Sequence, residues 1–505
     1  MRAILAALLA AVTLTAPLCA QQFERLTSPR ADRLRVDELL GLREGALVFR
    51  APSVTGASPG ISWNPAELVL TINSSRPWGL NDGALWAGTG IAGRVDLGGR
   101  YRTGPLTITI DPTIWFARNA AFDTVATAFP NRTPFNYPWS NRIDLPQQPG
   151  PDALARITPG QSGARLDWRV VTAGVGTENM WWGPAARHPI LMGASADGFP
   201  HLDLGVRPVA TPVGTVEGRI VWGRLTESAW FDTLPDNDHR LLAAMVLGWR
   251  PRWMPGLTVG FQRVFYQTWT DSLGTSDIFA IVQPFTKDAL SDSTNPEGND
   301  ARDQMLSLTW RWLLPSEGFE VYGEWARNDH NRDLIDFVLE PDHSQAWMMG
   351  MQKVIPAGNA VSRVQTEFLH GSRSGTFQVR ATPTYYTHHI VTQGFTQRGQ
   401  ILGAGPGPGS DAQFLAFDRF VPASRWGLWL ERIRWFDDDY YRLFGPTRRR
   451  EGHHVTLEGG VRYGRAPGSL AWSAEASLVR EWNRHFEIGN HHWNVNVQVG
   501  ARWNW

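Results

Sequence analysis

The densest run of chemically capable side chains is Glu178-Asn-Met-Trp-Trp-Gly-Pro-Ala-Ala-Arg187, followed by Asp197-Gly-Phe-Pro-His-Leu202. Aromatic faces stack on the C–H faces of pyranose rings, while Glu, Asn and Arg reach hydroxyl or carboxylate groups. Glu178, Asn179, Trp181, Trp182, Arg187, Asp197 and His201 are therefore the candidate polysaccharide-binding residues. The alternative is an aromatic-packed loop folded inward, with Arg187 paired to Glu178 or Asp197. If Trp181 and Trp182 stack on sugar, replacing both with Ala removes about 2–4 kcal/mol of binding.

Other motifs carry less chemistry. Gly88-Thr-Gly-Ile-Ala-Gly93 matches a dinucleotide fingerprint but opens no helical pattern, and a cofactor loop needs the strand-turn-helix context. No H-E-x-x-H, Walker loop or G-x-S-x-G elbow occurs. The pairs His388-His389, His453-His454 and His491-His492 place neighbours on opposite faces of a strand, which suits one metal poorly. Asp437-Asp438-Asp439 could draw a hard cation, but a solvated loop tip accounts for it more simply. We expect no catalytic residue, no cofactor and no metal.

These residues need elements to position them, and the clearest element is the last. From His492 to Trp505, Trp493, Val495, Val497, Val499, Ala501, Trp503 and Trp505 share one parity; Asn494, Asn496, Gln498, Gly500, Arg502 and Asn504 share the other. Such alternation makes a strand with one apolar and one polar face, of a length that crosses a bilayer when tilted. A soluble antiparallel sheet can alternate too, and the aromatic end of the chain favours the membrane reading. Leu106–Ile110, Leu166–Val170, Val216–Trp222, Leu306–Trp312, Phe319–Trp325, Val455–Tyr463 and Trp472–Leu478 repeat the pattern with Arg, Glu, Asp or Thr on the polar side. At roughly 20–25 residues per strand and connection, the chain holds roughly 16–20 strands. Long connections over residues 129–163, 283–302 and 400–413 are expected to face outward.

Composition agrees. The 48 basic and 48 acidic residues balance, which argues against nucleic acid, and no 18-residue apolar run after the first segment would span a membrane as a helix. The 25 Trp suit membrane interfaces and sugar faces alike. Residues 1–20 read as an export signal: Met1-Arg2, an apolar run from Ala3 to Thr15, and Pro17-Leu18-Cys19-Ala20 before the cleavage point. Its removal takes the only cysteine. Residues 21–60 read as a periplasmic segment holding a short amphipathic helix, with Arg33, Arg35, Asp37 and Glu38 on its wet side. Residues 61–505 read as the barrel.

The segment Glu178-Asn-x-Trp-Trp-Gly-Pro, with Leu191-Met192 and Gly198-Phe-Pro-His201, resembles the signature of the Wzi capsule-assembly proteins. Asn81-Asp-Gly-Ala-Leu-Trp86, Ile143-Asp-Leu-Pro146, Pro159-Gly-Gln-Ser162, Tyr322-Gly-Glu324 and Gly399-Gln-Ile-Leu-Gly403 are similar to further segments of that family. The resemblance spans about residues 65–415. It implies an all-β fold, a transmembrane antiparallel β-barrel of about 18 strands with a small helical element on the periplasmic side. It also implies a non-enzymatic outer-membrane lectin that holds capsular polysaccharide at the cell surface. The partners are then surface polysaccharide and outer-membrane lipid, with the barrel a monomer. A passive channel for ions or sugars is the alternative, since plugged and open lumens leave the same alternation.

Overall fold

The structure, a computed structural model, describes residues 22–26, 28–55, 59–127, 129–269, 274–291, 301–329, 331–445, 451–466 and 468–504. The expected export signal over residues 1–20 lies outside them, as do Trp505 and part of the 283–302 connection.

Twenty-two strand segments close into one antiparallel ring. Four strands are each broken in two: β1 (Gly60–Trp63 and Ala66–Asn73), β2 (Gly90–Asp96 and Gly99–Thr103), β3 (Leu106–Ile110 and Thr113–Ala117) and β4 (Leu154–Thr158 and Gly163–Trp168). The others are continuous: β5 Val171–Gly176, β6 His201–Thr211, β7 Gly214–Thr226, β8 His239–Pro251, β9 Leu257–Thr268, β10 Asp303–Leu314 and β11 Phe319–Asn328. Then follow β12 Gln345–Ala357, β13 Ala360–His370, β14 Asp411–Val421, β15 Ser424–Trp435, β16 His454–Arg465, β17 Leu470–Trp482 and β18 His492–Trp503. Eighteen strands thus form the wall among the described residues. β18 closes it on β1, from Asn496 opposite Asn73 to Trp503 opposite Ala66.

The alternation read from the sequence sets which side each residue faces. Trp493, Val495, Val499 and Trp503 are exposed outward, while Asn494 and Arg502 are buried inward. Trp63, Tyr101, Trp312, Trp426, Trp472 and Trp503 form an exposed aromatic band near the short turns, where a bilayer headgroup layer would lie. One expected strand is corrected: Leu166–Val170 runs into the β4–β5 turn, where Arg169 has φ +54°, and β4 ends at Trp168. A left-handed residue cannot continue a strand.

The breaks in β1 to β4 lie side by side. Arg25 fills the gap, donating to Asp111 at 2.8 Å, to Pro65 O at 3.1 Å and to Glu67 at 3.2 Å. Such irregularities bend a strand and re-aim its residues.

Both ends of the lumen are filled. At the short-turn end, which faces the periplasm in barrels of this class, lies helix α1 (Pro29–Leu39), capped by the Ser28 hydroxyl. Its Val36 and Leu39 pack on inward-facing Val354 and Phe420. The wet side expected for Arg35 and Glu38 is corrected, because both are buried. Arg35 pairs with Glu320 at 2.8 Å and Glu38 with Arg311 at 2.7 Å, so wall charges replace water. At the other end the connections 118–153, 177–200 and 371–410 fold inward. Their Ile143, Trp182, Ile190, Leu191, Phe395 and Leu402 form one cluster with Val264, Tyr266, Met305 and Tyr322 of the wall.

Candidate functional site

The signature segment descends into the lumen. Trp181-Trp182 pairs with Phe49-Arg50 as a two-residue antiparallel ladder, and Arg50 lies 5.3 Å from the Trp181 ring. Trp181 is 4 % and Trp182 0 % exposed, so neither offers a free face. Gly183 turns the chain at φ +80°, where a Cβ would also press on Thr309 and Gln262. That requirement explains the Trp-Trp-Gly-Pro order.

Carboxylates of the wall then hold the backbone beyond the turn. Glu367 accepts from the amides of Ala186 (2.8 Å), Arg187 (3.0 Å) and His188 (2.6 Å), and Glu324 from that of Ile190 (3.0 Å). Glu431, fully buried, receives Arg187 Nε at 2.7 Å and pairs with His188 Nε2 at 2.9 Å. Glu367 and Glu431 are each met by several donors, which offsets the cost of burying them.

The pairing expected for Arg187 is corrected: its partner is Glu431, because the turn aims it across the lumen at β15. Glu178 pairs instead with Arg165 at 2.9 Å, and Asp197 with Arg398 at 3.2 Å. Asn179 exchanges hydrogen bonds with Gln161. His201 is buried, with Nδ1 2.8 Å from Phe199 O and Nε2 3.7 Å from Glu178. All the candidates but His201, which opens β6, therefore lie on one continuous packed loop, with Glu178, Asn179 and Arg187 only half-buried. Glu178, His201 and Asp203 bring ligand atoms within 4.8 Å of one another. Arg165 already sits among them, donating to Asp203 and Glu178 at 2.9 Å, so a guanidinium supplies the cation there.

Above the packed loop, the long-loop mouth holds a cavity of about 300 Å³, the lower end of the range for small-ligand pockets. Trp78, Trp86, Trp139 and Trp435 line it, with Phe122 and Phe436. Indole N–H groups are fixed by the wall: Trp78 donates to Glu458 at 2.8 Å and Trp435 to Thr456 at 3.0 Å. The polar side is made by Arg76, Glu481, Arg484, His454, His485 and His492. Burial and the Arg484 guanidinium push His485 down to about 4, leaving it neutral at pH 7. Arg76 is likewise held below its ordinary value by burial and by Arg484.

None of these cavity residues was a candidate from the sequence, because they come from connections and strand ends far apart along the chain. The available signal was the set of adjacent histidines, of which His454 and His492 face the cavity. The solvated tip expected for Asp437–Asp439 is corrected. All three are buried at the start of a helix, Asp437–Phe444, bound by Arg434, Arg373 and Arg442. Tyr137 also donates to Asp439 at 2.5 Å, so the acidic run anchors a mouth loop.

The family model described as "Capsule assembly protein Wzi" matches residues 161–425, more than half of the 505-residue chain. Among solved structures, the chain is similar to Wzi of Escherichia coli, described as an outer membrane protein involved in group 1 capsule assembly and a carbohydrate binding β-barrel. Identity is 10 %, the match covers 87 % of this chain and 84 % of that one, and the TM-score is 0.57. Acinetobacter baumannii OccAB4 aligns at 9 % identity over 88 % and 97 % of the two chains, TM-score 0.42. The outer membrane channel DcaP of the same organism aligns at 9 % over 89 % and 99 %, TM-score 0.35. No curated protein sequence matches.

Proposed function

The chain belongs to the Wzi family of capsule assembly proteins, and from that premise we propose that it is a non-enzymatic lectin of the bacterial outer membrane. It binds capsular or extracellular polysaccharide in its long-loop mouth and so helps hold the polymer at the cell surface. The observation that carries this reading is the mouth cavity: four tryptophans beside guanidinium, carboxylate and imidazole groups, above a lumen filled by loops. Aromatic walls with a few convergent polar groups suit sugar rings. The similarity to a barrel described as carbohydrate binding supports the same reading.

On this view Trp181, Trp182, Glu178, Asn179, Arg187, Asp197 and His201 act beneath the glycan, holding the loops that shape the mouth. The barrel works as a monomer in outer-membrane lipid. The test is a titration of the purified barrel against the surface polysaccharide of its own cell, with an unrelated neutral glucan as control. Saturable binding to the first alone is expected, weakened about tenfold (~1.4 kcal/mol) by Trp139→Ala or Trp435→Ala. A folded barrel that binds neither polymer overturns the proposal.

A further inference from the structure

One side of the mouth cavity is an arginine pair bridged by a loop carboxylate. Arg76, from the connection after β1, and Arg484, from the connection after β17, both reach Asp123 of the 118–153 connection. Arg76 makes the ion pair directly, and Arg484 Nε lies 4.0 Å away. Phe122 sits between the two guanidiniums, 5.9 Å from Arg76 and 5.5 Å from Arg484. The two cations come from separate loops.

The anion that joins them is open to solvent. The Asp123 side chain is 48 % exposed, whereas those of Arg76 and Arg484 are 11 % and 13 % exposed. Arg484 has a second, buried partner in Glu481 at 2.9 Å, which is itself shared with His454 at 2.7 Å. Arg76 has Asp123 as its carboxylate and a contact to His492 at 3.2 Å, and its buried Nε meets no hydrogen-bond partner among the described residues. Two buried like charges beside a neutral His485 favour an anion between them. A guanidinium with an N–H to spare donates readily to a second carboxylate oxygen.

We propose that Arg76 and Arg484 form a subsite for the carboxylate of an acidic sugar, and that Asp123 is the internal occupant this carboxylate displaces. The inference rests on the reading of the mouth as the polysaccharide-binding face. The aromatic wall takes the ring and the arginine pair takes the acid group. Exchange of one carboxylate for another is close to neutral electrostatically, so each subsite binds weakly. A polymer anchored at many barrels is then held by avidity and can still slide. Because the pair lies at the surface end of the barrel, its attraction is sensitive to salt.

The test uses the full-length barrel and polysaccharide from its own cell surface, native and with its carboxyl groups chemically reduced. Native polymer is expected to bind severalfold more tightly than reduced polymer, with the difference shrinking at high salt. Asp123→Asn empties the pair and is expected to strengthen native binding severalfold while leaving reduced polymer unchanged. Arg76→Gln with Arg484→Gln is expected to erase the preference in a barrel that keeps its heat-modifiable gel migration. Equal binding of the two polymers by wild type, or equal weakening of both by Asp123→Asn, overturns the subsite and leaves the lectin reading standing. No binding of either polymer overturns the lectin reading, and the subsite with it.

Discussion

Trp182 and Arg187 show what single side chains do here. Trp182 has no exposed surface and sits in the central cluster. Trp182→Ala leaves a void that rigid wall strands cannot close, and a loss of about 3–5 kcal/mol of stability is expected. Heat-modifiable gel migration against temperature measures it, and an unchanged midpoint would show that the loop is not part of the packed core. Arg187→Met removes the cation facing Glu431, which is itself fully buried. Breaking one half of such a pair costs about 3–5 kcal/mol, much of it from the charge left behind. Adding Glu431→Gln should restore part of the loss, and the double-mutant cycle checks that the two residues act as a pair.

Elements couple through charge. Asp32 on α1 is held by Arg363 and Arg425 of the wall, and Arg363 also reaches Asp418 at 2.6 Å. Asp32→Asn weakens the attachment of α1, so it is expected to raise conductance across a planar bilayer; unchanged conductance would mean that the loop plug alone closes the lumen. The mouth loops should respond to pH. Burial pushes Asp197 up to about 6 despite Arg398, and Asp438 up to about 6 despite Arg373. Both raised values lie above the ordinary carboxyl value of 3.8, so the folded state holds protons that the unfolded chain releases. Their stabilising contribution is complete below pH 3.8 and is lost as pH rises through about 6. The variant Asp197→Asn/Asp438→Asn should therefore show a flatter thermal midpoint between pH 4 and 6 than wild type. An identical slope would assign the pH response to other groups.

At the scale of the molecule, the wall and its filling answer different demands. The wall must satisfy every backbone group in lipid, which a closed antiparallel ring does. On the proposed reading, the three long connections and the helix that fill the ring make the barrel a closed support for one mouth. Wild-type barrel is expected to conduct poorly in a planar bilayer, while shortening the 371–410 connection should open it. A large steady conductance from wild type would instead favour the passive channel.

Strand alternation was legible in the sequence because it is local: period two sorts residues to lipid or lumen whatever the neighbours are. The segment Glu178–Arg187 also stood out, because tryptophans, glycine and charge at that density need a specific environment. Its environment was not legible. Whether Trp181 and Trp182 face a sugar or a core depends on Phe49, Thr309 and Glu367, brought to them from far along the chain. The mouth cavity is the same case, since Arg76, Trp139, Trp435 and Arg484 share no spacing. By itself the sequence determined the barrel, its lipid face and its family resemblance, all carried by short-range pattern. Only the tertiary structure decided which tryptophans are buried and which line a cavity, because burial is set by contacts that loop closure makes across the lumen.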